Sequence, residues 1–310
     1  MPAASAGSAA FLLLRQPVEP GRSPGMGNSG FSDRLAGFMT KELAVRIIAA
    51  AVLIPIVLLD VWLGDVWFDI GIALVAALMA GEWCRMVHKG SQRQLAVHAV
   101  AAVGAILVVS RAGVVTAMQV ILLCWALSLV MEAMTRKSGS RFMWWGVPYV
   151  ALPGVALVMI RQSPELGLTA VLWLFAVVWT ADTMAYVFGR LIGGPKLAPA
   201  ISPNKTWAGL GGAVFGGVVA SVCAAMIAGL GSLAMLALLG AVLAVLEQAG
   251  DLFESSVKRR FGVKDSGHII PGHGGVLDRV DGLMFAAIAA ALIGYLHAGQ
   301  DMVASGLLVW

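Results

Sequence analysis

Apolar residues recur from position 44 to position 298 in long runs separated by short polar interruptions. Nine runs stand out: 44–63, 66–87, 95–110, 112–131, 144–160, 167–188, 207–230, 232–249 and 282–298. Most approach the roughly 20 residues that carry a helix across the hydrocarbon of a bilayer. The pattern predicts an all-α, polytopic integral membrane protein with about nine transmembrane helices. Residues 1–40, rich in Ala, Gly, Ser and Pro, read instead as a partly disordered tail, with Met26 a candidate start.

Loop charge tests that count independently. With the N-terminus in the cytosol and the spans alternating, seventeen Lys and Arg residues fall on the inside, against only Arg111 and Arg161 outside. Such asymmetry is the positive-inside bias of a correctly counted bundle. Composition agrees: 59% of the 310 residues are hydrophobic and 12% charged, with a mean hydropathy of +0.87. Soluble domains run near 45–50% apolar and about 25% charged, so a water-soluble globule is excluded. The net charge of +4 belongs to basic inside loops and does not call for a nucleic-acid partner. Cys84, Cys124 and Cys223 lie far apart in apolar runs without metal spacing and read as small buried hydrophobes.

The chain divides into N-terminal membrane helices over 41–165 and a region over 166–310 with two long inside loops, 189–206 and 250–281. The chemistry concentrates in the second. Glu247, Asp251 and Glu254 are spaced i, i+4, i+7, so they share one face if the eighth helix continues. Basic residues Lys258, Arg259, Arg260 and Lys264 follow, then the Gly-rich turn Pro271–Gly275 and finally Asp278, Arg279 and Asp281. Hard divalent cations take one or two carboxylates plus phosphate oxygens, and Lys and Arg bind the remaining phosphate charge. These parts describe a site for a nucleotide or phosphoester with a metal. A plain basic loop explains Lys258–Arg260 but not the interleaved Asp251, Asp265, Asp278 and Asp281.

The string Ser255-x-Val257-Lys258-Arg259-x4-Lys264-Asp265-x-Gly267-x2-Ile270-Pro271-x-His273-Gly274-Gly275-Val276-x-Asp278-Arg279-Val280-Asp281 spans 27 positions. It resembles the signature of phosphatidate cytidylyltransferases, also called CDP-diacylglycerol synthases. The first inside loop is similar to the same family, through Asp182, Ala185, Tyr186, Gly189, Arg190, Lys196 and Leu197, then Ser202 to Trp207. Ala208 departs from it, because the family usually carries Glu there, and any task of that Glu is absent here or met elsewhere. The resemblance implies transfer of CMP from CTP to phosphatidic acid, giving CDP-diacylglycerol and pyrophosphate, with Mg²⁺ required and room for a monovalent cation such as K⁺. The expected place is the cytosolic face of a bacterial inner membrane, and a homodimer is allowed.

By that resemblance Asp251 and Asp278 match the metal-binding aspartates, and Asp281 lies one helical turn on. Lys258, Lys264 and Arg279 are assigned to catalysis beside them. Arg259, Ser255 and His273 join them as substrate contacts. Asp182, an ionisable residue near the end of an apolar span, is a functional candidate on position alone. Ser202, Lys205 and Thr206 read as a phosphate-binding turn. Glu82 is expected to face other helices, Gly209, Gly212 and Gly216 to allow close helix packing, and Trp62, Trp67, Trp144, Trp145 and Trp207 to anchor at interfaces. Two rival readings stay open: a secondary transporter using Asp182 and Glu247, and a nucleotide-dependent lipid kinase.

Overall fold

The computed structural model describes residues 41–134, 141–270 and 274–310; the tail expected over 1–40 and the candidate His273 lie outside them. The elements are α1 (Lys41–Leu63), α2 (Asp65–Val87), α3 (Gln92–Met134), a 3-10 turn (Arg141–Trp145), α4 (Gly146–Arg161), α5 (Gly167–Leu191), β1 (Lys196–Ala198), β2 (Ser202–Thr206), α6 (Trp207–Ile227), α7 (Leu233–Phe261), α8 (Leu277–Ala298), a second 3-10 turn (Gln300–Met302) and α9 (Val303–Leu308). Seven of the described helices are long and apolar enough to cross a membrane, and α1 contributes the shorter apolar stretch Ala51–Leu63. The fold is therefore all-α and polytopic, as the run pattern predicts.

The 43 residues of α3 are not one rod. Gly113 has φ 80° and ψ 171°, outside the helical region. Ser128 donates from Oγ to Gln94 Oε1 at 2.7 Å, and Gln94 Nε2 donates to the Ser128 carbonyl at 3.2 Å. Residues 34 apart can meet only if the helix folds back, so α3 is two antiparallel arms with their apex at Gly113. The arms correspond to the separate runs 95–110 and 112–131, which restores the predicted total of nine apolar runs.

The most enclosed span is α4, whose Val150, Ala151, Val158 and Ile160 are fully buried. It packs against α2, α3, α5 and α8. Leu74, Leu123, Ile227 and Leu296 point outward and stay exposed, as helices solvated by lipid require. Trp62, Trp67, Trp144, Trp145 and Trp207 are exposed as well, near helix ends. Cys84 and Cys124 are buried as expected, but Cys223 is exposed; it lies on α6, where an apolar side chain facing lipid needs no burial within the protein.

Helix α6 sits close to both neighbours because it is rich in glycine. A Cβ on Gly212 would lie 2.6 Å from the Met184 carbonyl of α5, and one on Gly216 would lie 2.7 Å from Met184 Cγ. On the other side, a Cβ on Gly217 would lie 2.7 Å from the Gly240 carbonyl of α7. Without a hydrophobic drive between helices in lipid, such close contact holds them together. Gly217→Val is expected to destabilise the protein by about 1–3 kcal/mol through overpacking, seen as a lower unfolding midpoint in detergent. Gly211→Val, which meets open space, is the matched control and should melt like the parent.

Two predicted boundaries shift where the chain leaves the apolar pattern. Helix α7 runs on to Phe261, where Gly262 closes it in the left-handed conformation (φ 71°). Helix α8 starts at Leu277, earlier than its apolar run. The loop expected over 250–281 thus shrinks to 262–276. The loop expected over 189–206 contains an antiparallel hairpin in which Lys196 pairs with Thr206 and Ala198 with Ser202.

Candidate active site

Because α7 continues as a helix, Glu247, Asp251, Glu254 and Lys258 line up as a polar ridge on one face. Asp251 and Lys258 are met from other elements, Glu247 and Glu254 by neighbours on α7 itself. From the hairpin, Lys205 Nζ lies 2.6 Å from Asp251 Oδ2 and donates to Gln248 Oε1 at 2.7 Å. Gln248 in turn donates from Nε2 to Glu247 Oε2 at 2.8 Å. One turn on, Ser255 Oγ donates to Asp251 Oδ1 at 3.2 Å. Arg259 fastens the hairpin tip by donating from Nε to the Ile201 carbonyl at 3.3 Å. A hairpin of only eight strand residues is thereby held on the ridge by two basic side chains.

The lower ridge meets the first turn of α8. Lys258 Nζ lies 2.5 Å from Glu254 Oε2 and 2.7 Å from Asp278 Oδ1. The other oxygen of Asp278 accepts from Ser266 N at 2.9 Å, Ser266 Oγ at 2.9 Å and Gly275 N at 2.8 Å. Glu254 is wholly buried, and its Oε1 has no hydrogen-bond partner among the described residues. Helices α7 and α8 approach closely at Gly250, where a Cβ would lie 2.5 Å from the Asp281 carbonyl. That approach sets the Asp281 side chain, which accepts from Gly282 N at 2.9 Å, within electrostatic range of Asp251, Lys258 and Lys205.

The structure therefore brings together most of the residues singled out in the sequence. Asp182 on α5 lies within electrostatic range of Asp251, Lys205 and Arg279. Lys264 is exposed in the short loop after α7 and Arg279 is exposed on α8. Ser202 opens β2 opposite Ala198. Thr206 differs from its expected place in a phosphate turn: it is buried, and its Oγ1 accepts from Gly209 N at 3.0 Å as the N-cap of α6. Three residues gain tasks that sequence reading did not assign: Glu254, Gln248 and Glu82. Glu254 carried a signal in its i+7 spacing from Glu247 and Glu82 one in its place inside an apolar run, while Gln248 carried none.

Glu82 joins Asp278 through the Ser266 hydroxyl, and the carboxyl groups of Asp182, Glu247, Asp251, Glu254, Asp278 and Asp281 share this region. They face three basic side chains, Lys205, Lys258 and Arg279. Oxygen donors in excess over fixed cations are the chemistry that suits a hard divalent ion. Among the described residues no group of three or more His, Cys, Asp or Glu side chains is gathered closely enough to hold a metal ion; Asp251 and Asp281, on two facing helices, carry oxygens of the kind such an ion takes, while Asp278 Oδ1 is occupied by Lys258. Lys264 and Arg279 add exposed basic side chains near the facing ends of α7 and α8.

A sequence model of the cytidylyltransferase family matches residues 44–297. A phosphatidate cytidylyltransferase of Brucella abortus is 47% identical over 173 residues, which cover 54% of this chain and 63% of that protein. The Brucella suis enzyme of the same name is 48% identical over 170 residues, covering 54% and 62%. The Staphylococcus epidermidis enzyme is 41% identical over 169 residues, covering 52% and 64%. Each alignment spans less than two thirds of the relative's length.

Proposed function

The chain belongs to the cytidylyltransferase family, and from that premise we propose that it converts CTP and phosphatidic acid to CDP-diacylglycerol and pyrophosphate. The observation that carries this reading is the ridge of α7 facing the first turn of α8, acidic residues paired with lysines at the end of an apolar bundle. A water-soluble nucleotide and a lipid headgroup can both reach such a place. In this reading the face is cytosolic and the membrane is a bacterial inner membrane, which accords with the loop charge.

In the reaction, an oxygen of the lipid phosphate attacks the α-phosphorus of CTP, and the bond to the β-phosphate breaks to release pyrophosphate. Such chemistry asks the protein mainly for positioning and charge neutralisation. Lys205, held over Asp251 by the hairpin, and Lys258, held over Asp278, are placed to receive phosphate oxygens. Arg259, Lys264 and Arg279 extend that positive surface outward, with Ser202, Ser255 and Asp182 at its edge. Asp251 and Asp278, with Asp281 beside them, would hold Mg²⁺, which supplies neutralisation of the triphosphate charge when bound.

Purified protein in liposomes, given CTP labelled at the α- or the γ-phosphate together with phosphatidic acid, tests the assignment. Transfer of α-label to the lipid is expected. Transfer of γ-label instead would make the protein a lipid kinase, and no transfer of either would leave the transporter reading. EDTA is expected to abolish turnover and Mg²⁺ to restore it; turnover that survives chelation removes the metal from the proposal.

A further inference from the structure

Glu82 lies on α2, 165 residues before the start of the polar ridge at Glu247, yet it is wholly buried against the start of α8. Its Oε1 accepts the backbone N–H of Val276 and its Oε2 that of Leu277, each at 2.9 Å. Ser266 Oγ lies 3.1 Å from Glu82 Oε2 and 2.9 Å from Asp278 Oδ2, so one hydroxyl touches both carboxylates. First-turn amides have no acceptor within their own helix, and the N-cap residue Val276 offers no side-chain bond. A carboxylate from another helix fills that role and meets the positive end of the α8 dipole. Small residues make the approach possible: a Cβ on Gly267 would lie 2.6 Å from Glu82 Oε1, and one on Gly275 would lie 2.6 Å from Oε2.

We propose that Glu82 is a positioning residue for Asp278. The donors that hold Asp278 Oδ2 are Ser266 N, Ser266 Oγ and Gly275 N, and the chain on both sides of the 267–274 loop is pinned by Glu82. With Glu82 in place, the first turn of α8 and the two ends of that loop form one rigid cradle, and Asp278 presents its second oxygen toward Lys258 in a fixed direction. Without it, the two first-turn amides face a buried region with no acceptor, and the cradle loosens. The kinetic part of this inference rests on the cytidylyl-transfer reading; the structural part does not.

The test follows amide hydrogen exchange in the full-length protein in nanodiscs without nucleotide, alongside steady-state kinetics. Glu82→Gln is expected to speed exchange at Ser266 and Gly275 as well as at Val276 and Leu277, with protection of α5 and α6 unchanged. Turnover should fall by about 10–100-fold, the usual effect of losing a residue that orients a ligand, while KM for CTP moves by less than about twofold. Faster exchange confined to Val276 and Leu277, with kcat unchanged, overturns the proposal and leaves Glu82 a helix cap alone. Should Glu82→Gln fail to fold, Glu82→Asp decides, since it keeps the buried charge but shortens its reach to Val276 and Leu277. Faster exchange at Gly275 with a lower kcat supports the link; both unchanged overturns it. A wild-type protein without cytidylyl transfer sinks the functional reading, and the exchange data still decide the positioning role.

Discussion

Asp278→Asn is expected to abolish turnover while the protein still inserts and purifies as a folded species. Both oxygens of this carboxylate are engaged, Oδ1 by Lys258 and Oδ2 by three donors from Ser266 and Gly275. An amide in its place must turn its NH₂ either toward the ammonium of Lys258 or toward two backbone N–H groups. Either way a donor faces a donor, and the negative charge that would meet Mg²⁺ is gone. A loss of at least about 100-fold in kcat is expected, the upper end of what orienting residues around a metal produce. Steady-state kinetics at saturating Mg²⁺ read this directly, with size-exclusion chromatography as the folding control. Near-normal Mg²⁺-dependent turnover in the variant would take Asp278 out of the site.

Lys258→Met should have the largest effect on stability, and it separates two roles of one side chain. Glu254 is wholly buried, and Lys258 is the cation beside it. Removing one partner of a buried pair leaves the other uncompensated, at a cost of about 3–5 kcal/mol. Adding Glu254→Gln removes the stranded charge, so the double variant is expected to recover most of the unfolding midpoint. Activity should not return, because Lys258 also faces Asp278 and, in the proposed reaction, receives phosphate oxygens. A double variant that regains turnover would reduce Lys258 to a structural counter-ion; a single variant that melts like the parent would contradict the burial argument.

The spans were legible because lipid enforces a long apolar run on each of them. Even the fold-back of α3 left a trace: Arg111 and Gly113 interrupt the apolar stretch where the two arms meet. What escaped the pattern lies beyond the hydrocarbon. The extension of α7 through Asp251 to Phe261 is polar on its surface and gives no hydropathy signal, although its i, i+4, i+7 carboxylates anticipated the ridge. The hairpin strands, of three and five residues, are too short and too polar to alternate visibly. Thr206 looked like part of a phosphate turn because Ser, Lys and Thr together suit either task; only the Gly209 contact identifies it as a cap. Glu82 was legible as a buried residue, but its partners lie 184 to 195 positions away, a distance that no local spacing encodes.

The apex at Gly113 also fixes a helical phase. Its positive φ suits glycine and strains any residue with a Cβ, and it joins the two arms with no spacer between them. Inserting one residue into either arm would turn everything beyond it by about 100°, the angular step of an α-helix. Gln94 and Ser128 would then look away from each other. Length changes that flexible loops absorb are thus closed to this hairpin, and compensating insertions would have to come as whole turns, matched on both arms.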